Sequence, residues 1–214
     1  MSKRQTSEGR TITSKRTKTE QKTPMANPQG YIIIKRENAQ PPPEELFAAV
    51  ESYIGKAKFQ EMRGSIADEV GAQRVNGGDA SEALLHHGIN FSNIEFEPFF
   101  QDVLGCSFDE AKKSKVEVVF WRENKTQLPR YPAGLRGTVH IFCSATIEEL
   151  HEGNGLFRIV EGSHTMTRGQ FRHIEPTPIR LQPNQILILS ADLTIQYPQG
   201  GGGVGVFMRL FPPT

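Results

Sequence analysis

The sequence predicts a mainly β domain with an N-terminal helical layer, preceded by a basic tail. Three observations lead there. Apolar residues recur at helical spacing up to about residue 105 and alternate from about residue 115. Beyond that point short apolar runs follow one another, punctuated by Gly, Pro and Asn. That is the pattern of an antiparallel sandwich or barrel, not of a parallel α/β sheet. The third observation is charge. Residues 1–29 hold seven basic side chains (Lys3, Arg4, Arg10, Lys15, Arg16, Lys18, Lys22) against Glu8 and Glu20, a net +5. With the whole chain at +1, residues 30–214 carry −4.

The tail, residues 1–29, has Ile12 and Met25 as its main apolar side chains. Such a segment buries too little surface to offset its ordering entropy, so disorder is expected. Lys3-Arg4, a ten-residue spacer and Lys15-Arg16-Thr17-Lys18 have the spacing of a bipartite nuclear-import signal. Two basic clusters on a flexible spacer suit two acidic grooves of an import receptor. The expectation is an intracellular protein, nuclear or nucleocytoplasmic, with Lys3, Arg4, Lys15, Arg16 and Lys18 as the signal. The competing reading is a solvated basic tail that touches nucleic acid nonspecifically and with strong salt dependence. Phosphorylation of its many Ser and Thr residues would weaken either contact.

The folded domain is expected over residues 30–214. Tyr31-Ile32-Ile33-Ile34 reads as a strand, and Pro41-Pro42-Pro43 ends the extended segment. Leu46, Val50, Tyr53 and Ile54 recur at helical spacing, with Glu44 and Glu45 in the first turn and Gly55 at the end. Residues 60–90 read as broken helix and loop. Phe99, Phe100, Val103 and Leu104 form another apolar helical face, started near Pro98 and closed by Gly105. Strands follow at 116–121, 139–143, 156–160, 179–181, 186–189 and 204–210. No apolar run approaches the ~20 residues of a membrane span, and the polar N-terminus lacks the apolar region of a signal peptide. Cys106 and Cys143 are expected as buried free thiols.

Several pieces together resemble the phytanoyl-CoA dioxygenase family of iron(II)- and 2-oxoglutarate-dependent oxygenases. Gly30 to Ile34 resembles the family's opening strand, and Val103-Leu104-Gly105 the helix end ahead of its core. Asn154-Gly155-Leu156-Phe157-Arg158-Ile159-Val160-Glu161-Gly162-Ser163-His164 is similar to the family form "enGplrvvpGSH". Leu181 to Leu189 resembles "l.pGDlvlf", with Asn184 in place of a turn glycine. The resemblance implies a jelly roll, or double-stranded β-helix, over residues 30–214.

The resemblance also implies a metal site, and there the sequence departs from the family. Two histidines and a carboxylate should hold iron(II) with open positions for 2-oxoglutarate and oxygen. The His-x-Asp/Glu pair is expected at Phe120-Trp121-Arg122-Glu123-Asn124, which puts Arg122 and Asn124 in the ligand positions. A guanidinium stays protonated and cannot bind metal. The distal histidine position falls in Ser190 to Pro198, around Gln196, and the last histidine of the chain is His173. No metal ligands and no catalytic residues are therefore assigned. Iron(II) is not expected as a cofactor. Arg209, on the last strand, remains a candidate for the 2-oxoglutarate carboxylate, with a structural ion pair, for instance to Asp192, as the alternative.

Among the histidines, His140 alternates with the Val139 and Ile141 face and is a candidate to point into the barrel; His164 reads as a turn residue. A rearranged site from His140, Glu123 and a third group is conceivable but not favoured. The Gly200–Gly203 run lacks the Lys-Ser/Thr of a phosphate loop and reads as a hairpin connection. The favoured function is a catalytically degenerate oxygenase-like protein acting as a binding or regulatory module, its partner a protein or a small carboxylate. The alternatives are an active dioxygenase that hydroxylates a small apolar substrate with non-standard metal ligands, and a nonspecific nucleic-acid binder working through the tail.

Overall fold

The computed structural model describes residues 27–37, 40–56, 60–61, 72–93, 95–123 and 130–213. The import-signal residues and Asn124 lie outside them. Strands are β1 (Tyr31–Lys35), β2 (Gln60–Glu61), β3 (Ala72–Asn76), β4 (Lys112–Lys113), β5 (Glu117–Trp121) and β6 (Arg130–Pro132). They continue as β7 (Val139–Ser144), β8 (Arg158–Val160), β9 (Thr177–Pro178), β10 (Gln185–Ser190), β11 (Thr194–Gln196) and β12 (Val204–Phe211). Helices are α1 (Glu44–Lys56), α2 (Gly78–His86), α3 (Glu97–Leu104) and the single turn α4 (Arg168–Phe171).

The strands form two antiparallel sheets. The larger runs β1-β10-β7-β12-β5-β3-β2, with β4 also on β12; the smaller runs β6-β11-β8-β9. From β5 to β12 the strands alternate between the two sheets, except that β8 and β9 pair with each other in the smaller one, which is the winding of a double-stranded β-helix. Side chains alternate across each strand, so the larger sheet has two faces with two cores. Val118, Ile141, Cys143, Ile186, Ile188, Val206 and Met208 pack with Phe47, Val50, Leu84, Leu85, Phe99 and Phe100 of the three longer helices. Val119, Trp121, Phe142, Leu187, Leu189 and Phe207 face the smaller sheet and meet Phe157, Ile159, Leu193 and Ile195 there.

Local signals explain the helices. α1 has Glu44 and Glu45 in its first turn and Lys56 in its last, charges that complement the helix dipole. Its buried residues are Phe47 and Val50, and Leu46 and Ile54 pack partly buried against the same core. α3 begins with Pro98 in its first turn and stops at Gly105, which takes φ 70° and donates its N–H to the Gln101 carbonyl. Among the described residues no helix is long and apolar enough to cross a membrane.

Three expectations need correcting. The stretch 60–90, expected as broken helix and loop, contains β3 and the nine-residue α2, whose Ser81, Leu84 and Leu85 are buried. β8 begins at Arg158, two residues beyond the expected start, and residues 179–181 form only a bridge from Leu181 to Leu150. The two cysteines are buried and free.

Candidate functional site

The inner face of β12 carries Gly205, Phe207 and Arg209. Register puts Arg209 opposite His140 of β7, and Phe207 opposite Phe142 of β7 and Glu117 of β5. These residues define one end of the space between the sheets. Arg209 Nη2 bonds Glu117 Oε2 at 3.1 Å, and Arg74 Nη1 reaches Glu117 Oε1 at 3.3 Å. The Arg209 guanidinium also lies 5.6 Å from the centre of the Phe207 ring, a cation–π contact. Its backbone N–H donates to Ser114 Oγ at 3.0 Å. Glu117 is 13% exposed and carries two guanidiniums.

His140 is buried at the same end. The connection from β6 to β7 closes over it: an added Cβ on Gly134 would stand 2.6 Å from His140 Nε2, so only glycine fits there. Burial, and then the positive Arg209, push the imidazole pKa down to about 4, leaving His140 neutral at physiological pH.

Behind this end, rings fill the interior. His140 stands 6.3 Å from Phe207, which stacks on Phe142 at 5.4 Å with 16° between planes. Phe142 meets Phe157 edge-on at 5.4 Å, and Phe157 meets Tyr197 at 5.7 Å. Tyr197 is hydrogen-bonded to Trp121, and its phenol is pushed up to about 12 by burial. Trp121 closes the far end, against Gly155 and Gly205. Gly155 takes φ 102°, and a Cβ there would stand 2.5 Å from Trp121 Cβ, so both backbone and space demand glycine in the Asn154-Gly155 turn.

The structure therefore separates residues that linear spacing had grouped. Gln196 pairs with Arg130 and Arg158 at the end of the sheets where the Gly200–Gly203 connection crosses. Arg122 follows β5 at that same end, beside Gly201. Arg209 is at the other end, five residues along β12 from Val204, or about 16 Å of strand. Arg122 and Gln196 thus cannot share a metal or a ligand with Arg209. Nor does Glu123, next to Arg122, converge with His140. Asp192 is not the partner of Arg209: its Oδ2 accepts from the Gly137 backbone N–H at 3.2 Å. His151 Nδ1 accepts the Gly153 N–H at 2.9 Å and so serves a turn. His164 lies in the turn Ser163–Thr165 against Gly30. Glu117, missed by sequence reasoning, is the residue that organises this end; its place opposite Phe207 follows only from strand pairing.

Among the described residues the donor set near Arg209 does not fit iron(II) and 2-oxoglutarate. Among the described residues no group of three or more His, Cys, Asp and Glu is placed to hold a metal. His140 and Glu117 are the potential donors near Arg209, and Glu117 has both oxygens in ion pairs. Between the sheets Phe142, Phe157 and Phe207 pack on one another in one buried cluster.

No family model matches the sequence, and no curated protein matches it. Solved structures do. The non-heme alpha-ketoglutarate-dependent carbocyclase SnoK from nogalamycin biosynthesis superposes with TM-score 0.58 at 13% identity, covering 86% of this chain and 80% of its own. HygX from Streptomyces hygroscopicus, solved with nickel, 2-oxoglutarate and hygromycin B, gives 0.57 at 9% identity over 86% and 82%. EctD from S. alaskensis, with bound iron, gives 0.56 at 12% identity over 86% and 73%. Likeness at such identity speaks for the fold: this chain is built on the jelly-roll fold of the iron- and 2-oxoglutarate-dependent oxygenases.

Proposed function

We propose that this protein uses the oxygenase fold as a binding module and carries out no iron(II)- and 2-oxoglutarate-dependent oxidation. The observation that carries the reading is the column of rings from His140 through Phe207, Phe142 and Phe157 to Tyr197. A ligand entering the barrel has to displace it. A carboxylate that takes Nη2 of Arg209 has to displace Glu117. Titrating 2-oxoglutarate calorimetrically, with and without iron(II) under anaerobic conditions, is expected to give no saturable heat in either case. Iron-dependent binding followed by succinate release would overturn the reading in favour of an active dioxygenase with non-standard ligands.

The basic tail supplies the location. Lys3-Arg4 and Lys15-Arg16-Thr17-Lys18 suit an import receptor, and the module then works in the nucleus on a protein or nucleic-acid partner. Replacing Lys15, Arg16 and Lys18 by alanine in the full chain is expected to shift a fluorescent fusion from nucleus to cytoplasm. An unchanged distribution would remove the nuclear assignment.

A further inference from the structure

β1 is the edge strand of the larger sheet and pairs with β10 on one side only. In an antiparallel ladder alternate residues turn their polar groups to alternate sides. The Ser190 N–H donates to the Gly30 carbonyl and the Arg36 N–H to the Asn184 carbonyl, both at 2.9 Å. Even-numbered residues therefore bond β10, and the N–H and C=O groups of Tyr31, Ile33 and Lys35 point away from it. This open stretch is bounded at both ends. Asn27 Nδ2 donates to the Tyr31 carbonyl at 3.0 Å, and beyond Lys35 the Glu37 N–H donates to the Gly88 carbonyl at 2.7 Å. Between these caps the main-chain groups of Ile33 and Lys35 have no partner among the described residues.

The side chains divide in the same way. Ile32 and Ile34 pack against the helix-side core. Tyr31, Ile33 and Lys35 share the other face. Tyr31 packs on the barrel core, whereas Ile33 is 36% exposed and Lys35 is exposed. An edge with open main-chain groups and an outward isoleucine is a template for another strand. Tyr31 brings an acid to this face: its hydroxyl donates to Glu161 Oε1 at 2.8 Å.

The order of these residues selects the occupant. An antiparallel twofold centred on Ile33 sets Ile33 against Ile33, and Lys35 of each copy against Tyr31 of the other. The two Ile33 residues then exchange N–H···O=C bonds, and each Tyr31 N–H meets the carbonyl of the opposing Lys35. Opposed residues share a face, so each Lys35 ammonium comes beside the Tyr31–Glu161 pair of the other copy. An apolar centre with opposite charges facing each other at both ends makes the strand complementary to itself. We propose that β1 is a self-association edge, through which two copies of this chain join their larger sheets into one continuous sheet.

The test is sedimentation of the full chain over a concentration series. The unaltered chain is expected to pass from monomer to dimer as concentration rises. K35E and E161K each oppose like charges across the contact and are expected to weaken the dimer about tenfold or more. Melting temperature serves as the folding control, since E161K also loses the Tyr31 hydrogen bond. An equimolar mixture of the two variants is expected to regain association, because each Glu then meets a Lys of the other copy. Cross-linking gives a second readout. Cα atoms of the central pair would stand about 5.5 Å apart, within reach of a disulfide. I33C is therefore expected to form a covalent dimer on mild oxidation, and I147C, at another exposed isoleucine, is not. The native cysteines are buried and do not compete. A chain that stays monomeric throughout would overturn a second copy as the occupant and leave the edge to a foreign strand. A dimer that neither charge change weakens, or equal cross-linking of I33C and I147C, would overturn the edge as the contact.

Discussion

Replacing Phe142 by alanine is expected to remove about 3–5 kcal/mol of stability, read as a lower urea midpoint with an unchanged slope. Phe142 is buried in the middle of the ring column and touches it on three sides, stacked on Phe207, edge-on to Phe157 and beside His140. Its removal forfeits the transfer free energy of the ring and two favourable ring–ring geometries, each of about 0.5–1.5 kcal/mol. It also leaves a cavity that rigid strands on both sides cannot close. A domain of this size has a total stability of about 5–15 kcal/mol, so the variant would be marginal. Phe142→Leu keeps most of the volume and is expected to lose well under half as much. The comparison bears directly on function. If the barrel axis is a packed core, the alanine variant pays the full cost of a cavity. A loss below 1 kcal/mol would mean that the space tolerates emptiness, as a ligand pocket does, and would undo the argument that rings have replaced a cofactor.

How much of this was legible in the sequence follows from what each residue contributes. Alternation in Val116–Trp121 and Val139–Cys143 reported the two-faced strands β5 and β7, because one face meets the helices and the other the smaller sheet. Pro98 and Gly105 marked α3 because a first-turn proline and a left-handed glycine are local requirements of helix ends. β3 was not legible. Its sequence, Ala-Gln-Arg-Val-Asn, has one sizeable apolar side chain, and it is a strand because its backbone pairs with β5 from Ala72–Trp121 to Asn76–Glu117. That pairing is tertiary and overrides a polar local pattern. The candidate site shows the same division. Arg209 and His140 could be singled out by type and position, but not which end of the barrel they occupy. Strand direction decides that, and it parts Arg209 from Arg122 and Gln196. Glu117 escaped notice because an acid in a strand reads as a solvated position, and its partner Arg74 sits in the stretch that carried no strand signal.

A second expected result concerns acid. Stability should fall as pH drops below about 6.5 and keep falling to about 4, with His140 responsible for up to about 3 kcal/mol of the loss. In the folded chain its pKa lies near 4, because burial and the positive Arg209 disfavour the imidazolium; in the unfolded chain it returns to about 6.5. A histidine whose folded value is depressed binds its proton more readily when unfolded. Its stabilising share is therefore complete above pH 6.5 and is lost between 6.5 and 4, where unfolding takes up the proton. His140→Gln abolishes this share and should flatten the stability profile over that window. A residual slope is expected, since burial lowers the pKa of His86 and His164 in the same direction. Chemical denaturation of both proteins at a series of pH values tests it, and parallel profiles would show that His140 is not held neutral. The same imidazole reports on the end of the barrel. An anion that displaced Glu117 and settled on Arg209 would weaken the repulsion from Arg209 and raise the His140 pKa. A module whose barrel end stays closed by the Glu117–Arg209 pair should keep that pKa fixed when dicarboxylates are added, and an NMR titration of the His140 ring distinguishes the two.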